Sequence, residues 1–409
     1  MKNGIDRAAT SAEVPAVGDA GDAFGAVVRT EASIVQLIDV GGAAQVVAPR
    51  HNAFGDMLAV APAGDVTDGT SRVRRAAERA AQGERVALLA STRELVTARD
   101  AMTKMASQRL AAVFHVFEPA GAEEALALAE LGWGLLFASD VGESVDLTLA
   151  ARRAAEDSGT PFLVVHDLLR VRHAALPAAL DPSVITSFIG PAETRVRRIG
   201  DAGHPVHVQL GARAFAERVP FALGSALREL EGLTGRKCDV VTRSPVGEGA
   251  DAPLVLVGLG ALGDRALGAV PRLRAAGHDV GAMKVTAFRP FPGPRVVRTL
   301  ARALAVTVLE HQDAPLAQSN LLTREVKSAF ADAITWAPEY PGVGRVPRIH
   351  SGVARPSSPD LAPDDVDAVV RNMLAGDQGK RLFVLGGDAV HDLDGRSSRD
   401  DAARGSVRG

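Results

Sequence analysis

The stretch Leu254–Val270, LVLVGLGALGDRALGAV, decides how the chain is to be read. Its apolar start reads as a buried strand, Gly258, Gly260 and Gly263 spell G-x-G-x-x-G, and a helical pattern follows. Strand, tight turn and helix make one unit of a parallel α/β sheet. The same glycines can also open a dinucleotide site, which needs a carboxylate at the end of the second strand to hold the ribose. Here the second strand, VGAMKVTAF (280–288), ends in Thr286-Ala287-Phe288-Arg289, and Asp279 precedes it at the wrong end of the sheet. Arg289 would suit a 2′-phosphate, but the PFP that follows turns the chain away. The glycines are therefore expected to make a tight turn and a close helix contact. An NAD(P)-dependent dehydrogenase stays as the remote alternative.

Outward from this unit the chain alternates strand and helix in both directions. Upstream come TSRVRRAAERAAQ (70–82, helix), RVALLAS (85–91, strand), RELVTARDAMTKMAS (93–107, helix) and LAAVFHVF (110–117, strand). Next are AEEALALAELG (122–132, helix), GLLFAS (134–139, strand), VGESVDLTLAARRAAEDSG (141–159, helix stopped by Gly) and PFLVVHD (161–167, strand). Residues 176–204 carry loop signals, a helix resumes over 216–235, and Ser244–Pro253 reads as a linker. Continuous apolar strands between amphipathic helices predict parallel sheets covered on both faces. The expected organisation is a flexible N-terminus (1–29), a first α/β domain (30–248), a smaller α/β domain (249–375) and a largely disordered extension (376–409).

Composition narrows the function. The 409 residues carry a net charge of −3, which offers no electrostatic footprint for DNA or RNA. The RVRR runs at 72–75 and 195–198 read as solvated helix faces. A single cysteine, Cys238, excludes a disulfide framework and any iron–sulfur cluster held by this chain alone. No apolar run is long enough to span a membrane and no secretory signal is visible, so a cytoplasmic setting is expected. His204 and His207 straddle a proline and do not read as a metal pair, and His115 reads as a core histidine.

GHDVGAMKVTAFRPFP (277–292) resembles the C-terminal module of transketolase-like thiamine diphosphate enzymes. Four further stretches resemble the pyruvate:ferredoxin oxidoreductase (2-oxoacid:ferredoxin oxidoreductase) family in collinear order: RVALLAS with LAAVFHVF, residues 134–176, LRELEGLTGRKCDVV (227–241) and RLFVLGGDAVHD (381–392). The correspondence is to the family's separate α subunit, or to the first two domains of its one-chain enzymes. It implies a thiamine-pyrimidine-type domain followed by a transketolase C-terminal-like domain. It also implies oxidative decarboxylation of a 2-oxoacid such as pyruvate to an acyl-CoA, with electrons passed to iron–sulfur clusters. Partner subunits (β, γ and ferredoxin-like), with ferredoxin as acceptor, would then anchor thiamine diphosphate with Mg and supply the clusters and the CoA site in a hetero-oligomer.

In that family this module covers the aminopyrimidine ring, and one of its carboxylic acids hydrogen-bonds a ring nitrogen. Counting back from Ser91, that acid falls on Asp68, one methylene shorter than the family's glutamate. Asp68 is thus the expected catalytic and cofactor-binding residue, with Ser91 beside it. Arg170, Arg172 and His173, after the strand PFLVVHD, are expected at a substrate or interface position. Two departures stand against activity. The family's substrate-side arginine falls on about Ala129, with Glu130 next to it, and its N-terminal substrate motif has no counterpart in VVAPRHNAFG (46–55). A catalytically degenerate member serving assembly is the alternative.

Overall fold

A computed structural model describes residues 23–41, 50–61, 69–118, 122–168, 180–192, 217–244, 252–335, 338–354, 361–386 and 389–393. Among them the chain runs α1 (Ala23–Ala32), β1 (Leu37–Asp39), β2 (Ala59–Val60), α2 (Gly69–Ala81), β3 (Val86–Ala90), α3 (Thr92–Thr97), α4 (Arg99–Ser107) and β4 (Val113–Glu118). A 3-10 segment (Ala122–Leu128), β5 (Gly134–Ala138), α5 (Val141–Ser158), β6 (Phe162–Asp167), α6 (Pro182–Ile189), α7 (Val219–Thr234) and β7 (Val241–Arg243) follow. The rest is β8 (Leu254–Leu259), α8 (Gly260–Ala275), β9 (Val280–Val285), β10 (Ala287–Arg289), α9 (Gly293–Leu300), β11 (Ala305–Glu310), α10 (Leu321–Ile334), β12 (Arg348–Val353), α11 (Pro363–Leu374), β13 (Leu382–Gly386) and β14 (Ala389–Asp392).

These strands form two seven-stranded sheets, ordered β10-β5-β6-β4-β3-β1-β2 and β14-β13-β12-β11-β8-β9-β7. Pairing is parallel except at β10–β5, β13–β14 and β7–β9. The interior strands β3, β4, β5, β6, β8, β9 and β11 are buried on both faces, as helix-covered parallel sheets require. This is the expected α/β architecture of two parallel-sheet modules.

The modules exchange edge strands. β7, upstream of the linker, closes the second sheet by pairing with β9, while β10, downstream of it, closes the first by pairing with β5. One apolar cluster consequently runs across the seam, from Phe114, Leu135 and Phe137 to Val257, Met283, Phe288 and Phe330. No helix among the described residues is long and apolar enough to cross a membrane.

Five local expectations are corrected. Residues 23–29, expected in a flexible N-terminus, belong to α1, because Phe24, Val27 and Val28 bury themselves under the first sheet. The helix expected over 93–107 is two helices, broken at Ala98, whose N–H turns back onto Leu95 and Val96. The helix expected over 122–132 is a tighter 3-10 winding. Within the expected loop, α6 is opened by Asp181, which accepts from Ser183 N at 2.7 Å, and by Pro182 in the first turn. The extension expected from 376 contributes β13 and β14 through Asp392, and its remainder lies outside the described residues.

Candidate functional site: the carboxyl edge of the first sheet and the seam

Strands β3, β4, β5 and β6 deliver their carboxyl ends to one edge, where α/β sites gather. After β3, Ser91 caps α3 in a capping box: Glu94 N donates to Ser91 Oγ (3.4 Å), and Ser91 N donates to Glu94 Oε2 (2.8 Å). The other Glu94 oxygen accepts from Arg72 Nη1 at 2.8 Å. Arg72 also donates to Asp39 Oδ1 (2.9 Å) and to the Leu89 carbonyl (2.6 Å). It is buried, not solvated as its basic run suggested, because β1, β3 and α3 all present acceptors to it.

The neighbouring strands end in acids. Glu118 closes β4 and accepts from Thr92 N at 2.5 Å. Asp167 closes β6 directly opposite it in register, and both are buried. Burial, together with the negative charges of Glu124 and Asp167, outweighs the Thr92 hydrogen bonds and raises the Glu118 pKa. After β5, Asp140 caps α5 by accepting from Glu143 N at 2.8 Å. Glu143 then reaches back to accept from Ser139 N at 2.8 Å and meets Lys284 of β9. Burial and the Glu143 charge push the Cys238 thiol well up, so it stays protonated beside this pair.

A chain of buried polar groups lies beneath this edge. His115 Nε2 is 2.9 Å from Glu31 Oε1, His115 Nδ1 is 3.2 Å from His166 Nε2, and His166 Nδ1 is 3.0 Å from Ser144 Oγ. Arg152 closes it by donating to both Glu31 oxygens. His115 is thus the core histidine the sequence suggested, held by partners the sequence did not name.

The three glycines of the opening stretch are accounted for by close packing. A Cβ on Gly263 would lie 2.5 Å from Gly258 O and 2.8 Å from Lys284 Cα, and one on Gly260 would lie 2.9 Å from Phe137 Cβ. The crevice that a dinucleotide would enter is filled by the end of β5, which overturns the dehydrogenase alternative. Glu123 adds a second tie across the seam, accepting from His311 N (2.6 Å) and Gln312 N (3.0 Å).

Of the residues singled out from sequence, Ser91 sits on the carboxyl edge as a helix cap. Asp68, Arg170, Arg172 and His173 lie outside the described residues, as do His204 and His207. Ala129 is buried in the core, and the exposed Glu130 shares Arg289 with Glu325, at 2.5 and 2.8 Å. Sequence reasoning missed Glu31, Glu143 and Lys284. A lysine inside the apolar run VGAMKV was the visible signal for the last, since a buried ammonium requires an acid.

Two parallel-sheet modules with a shared seam and a polar carboxyl edge are consistent with the thiamine diphosphate-binding class of fold, to which the family models point. One family model, "Pyruvate flavodoxin/ferredoxin oxidoreductase, thiamine diP-bdg", matches residues 70–217, and a second, "Pyruvate:ferredoxin oxidoreductase core domain II", matches 252–346. The chain belongs to the pyruvate:ferredoxin oxidoreductase family and is like its α subunit.

Among curated relatives, the pyruvate-flavodoxin oxidoreductase of Klebsiella pneumoniae is 27% identical over 300 residues, 66% of this chain and 24% of that protein. The pyruvate synthase subunit PorA of Thermotoga maritima is 27% identical over 281 residues, 62% of this chain and 66% of that protein. The chain therefore spans less than two thirds of the length of either relative. Among solved structures, the 2-oxoglutarate:ferredoxin oxidoreductase from Magnetococcus marinus with 2-oxoglutarate, coenzyme A and succinyl-CoA bound superposes with a TM-score of 0.56 at 13% identity, over 85% of this chain and 64% of that one. A split-gene transketolase, an inactive β4 tetramer, gives 0.51 at 15% identity, over 86% and 98%. These two likenesses concern the fold.

Proposed function

We propose that this chain is the coenzyme-covering α subunit of a thiamine diphosphate-dependent 2-oxoacid:ferredoxin oxidoreductase of the pyruvate branch. The observation that carries the reading is the order of the two family models, one lying on each sheet. Thiamine diphosphate, when bound, supplies the carbon nucleophile that takes up a 2-oxoacid. The role assigned to this chain is to cover the aminopyrimidine ring with the carboxyl edge of the first sheet and to present Asp68 to a ring nitrogen.

Chain geometry is compatible with that role. Gly69, the first residue of α2, packs directly on the Glu94 carbonyl, in the turn of α3 that Ser91 caps. Asp68 directly precedes Gly69 in the chain. Arg170, Arg172 and His173 follow β6 in the chain and are assigned to the substrate mouth or the subunit contact. The metal and the diphosphate end are assigned to a β-type partner, and the iron–sulfur clusters and CoA site to further partners of a cytoplasmic hetero-oligomer.

A degenerate, assembly-serving member is the second reading, and one observation favours it. Ala129 stands where the resemblance puts the substrate-side arginine, and Arg289, which pairs with the adjacent Glu130, is already neutralised by Glu130 and Glu325. Purification of the native complex from its host separates the two readings. The active reading expects a thiamine-anchoring partner to copurify and pyruvate-dependent ferredoxin reduction that Asp68→Ala abolishes. An intact complex without thiamine-dependent turnover establishes the degenerate reading, and a chain that purifies alone removes both.

A further inference from the structure

A cavity of about 550 Å³ opens beside the edge strand β7, between the connection that leaves α7 and the outer face of α9. Among the described residues its walls carry Lys237, Arg243, Arg295 and Arg298, with one acid, Asp239, and the hydroxyls of Thr242 and Thr299. The described lining is therefore rich in cations, in a chain whose overall charge is −3. Asp239 is already engaged: both its oxygens accept from Arg295, which holds that guanidinium in place at the wall. Lys237 and Arg298 have no carboxylate partner among the described residues. A smaller cavity continues the first, sharing Arg243 and Thr299 and reaching Ser244 and the backbone at Gly281 and Ala282.

Lys237 and Arg298 line one concave volume without a carboxylate partner among the described residues, and a bound anion relieves their repulsion. The volume lies in the range of small-molecule pockets, and concave walls of one sign concentrate anions. Guanidinium forks and an ammonium match phosphate oxygens, and threonine hydroxyls can donate to the same group. Lys237 on one wall and Arg298 on the other match a pair of anionic groups rather than one.

We propose that this cavity binds a small phosphorylated molecule through a diphosphate or an equivalent pair of anionic groups. The site lies on the edge of the second sheet and not on the carboxyl edge of the first, and it does not rest on the functional reading above. Neither side of the cavity is enough alone: Lys237 and Asp239 precede the linker at 244–253 in the chain, and Arg295 and Arg298 follow it.

Calorimetric titration of the full chain with inorganic diphosphate, with ADP and with inorganic phosphate tests the assignment. Saturable binding of diphosphate that is weaker for phosphate is expected, falling about tenfold or more in Lys237→Ala/Arg298→Ala. Both residues are exposed, so the double variant should fold, and Lys104→Ala, on exposed α4, should bind as the unchanged chain does. Asp68→Ala should also leave the affinity intact, which separates this cavity from the coenzyme edge. ADP binding more tightly than diphosphate assigns a nucleotide ligand, and equal affinities assign recognition by the phosphates alone. Absence of saturable binding at millimolar diphosphate and ADP, or undiminished binding by the double variant, overturns the proposal.

Discussion

The Lys284 ammonium lies 2.9 Å from one oxygen of Glu143 and 3.0 Å from the other, although 141 residues separate them in the chain. Ser139 Oγ completes the set at 3.1 Å. Both charged side chains are about nine-tenths buried, at 9% and 10% exposure. Burial alone would lower the Lys284 pKa, but the attraction of Glu143 and its hydrogen bond outweigh burial and raise it. Removing one partner of such a pair costs about 3–5 kcal/mol, because the other charge stays buried without compensation. Lys284→Met is expected to lose that much in urea unfolding followed by tryptophan fluorescence. The double change Lys284→Met/Glu143→Gln should recover a large part of it. A single variant as stable as the parent would mean that the seam does not rely on this pair.

Gly263 and Gly260 should tolerate no side chain, for reasons unrelated to any nucleotide. The Cβ of Gly263→Ala meets backbone on both sides, at Gly258 O and Lys284 Cα, and that of Gly260→Ala meets Phe137. Overpacking of this kind costs about 1–3 kcal/mol or more. Thermal unfolding should show Gly263→Ala below the parent, and NADH fluorescence should show no binding by either chain. Saturable NADH binding that Gly263→Ala removes would restore the dinucleotide reading.

Acid should destabilise the first module through its buried histidine chain. Burial, and then the charge of His115, hold the His166 pKa well below its ordinary value, so the folded chain keeps it neutral. The unfolded chain protonates it near pH 6.5, so stability is lost as pH falls below that value. Glu31 adds to the trend at lower pH. Burial would raise its pKa, but Arg152 and His115 outweigh burial and lower it. Its contribution is present above the unfolded value of 4.5 and is lost as pH falls through the folded one. Urea unfolding of His166→Asn between about pH 5 and 6.5 should show a slope shallower by about 1.4 kcal/mol per pH unit. An unchanged slope would show that the folded chain protonates His166.

Glu310 should act in the opposite direction. It closes β11 and accepts from Leu322 N, Thr323 N and Thr323 Oγ1 at the start of α10. Burial dominates these hydrogen bonds and raises its pKa from 4.5 to about 7. Between those values the folded chain holds a proton that the unfolded chain has released, so this group's contribution to stability falls as pH rises from about 4.5 to about 7. The stability difference between Glu310→Gln and the parent, read across that range, should therefore shift in favour of the variant by on the order of 3 kcal/mol. A difference independent of pH would place the Glu310 pKa at its ordinary value.

Asp68→Glu tests the proposed coenzyme contact by adding the missing methylene. In the reconstituted complex it should raise pyruvate-dependent ferredoxin reduction, since misplacement by about 1 Å can cost about 100-fold in rate. Turnover that Asp68→Glu and Asp68→Ala both leave unchanged would remove Asp68 from the reaction.

The pattern of residues carried the elements well, because strand and helix depend on neighbours close in sequence. The apolar runs of β3, β4, β6, β8 and β9, the Gly159 stop of α5 and the tight turn at Gly258–Gly263 all follow from local periodicity and backbone freedom. The capping box at Ser91 and the Asp181-Pro182 helix start are equally local, but sequence reasoning passed over both. The carboxyl edge was legible as a place through Ser91, while its wiring and the acids Glu118 and Asp167 that end the neighbouring strands were not. Arg72 shows the limit: in sequence it is one of a basic run, and only the approach of Asp39, Glu94 and the Leu89 carbonyl makes it a buried tie.

By itself, then, the order of residues determined two parallel α/β modules, their family likeness and the turn between β8 and α8. Tertiary structure alone decided that β7 and β10 change sheets, that Phe137 fills the crevice above Gly260, and that Lys284 finds Glu143. The reason is physical: a strand edge, a missing Cβ and a buried charge each leave a requirement that many distant partners could meet, and the choice among them is made only when the whole core packs.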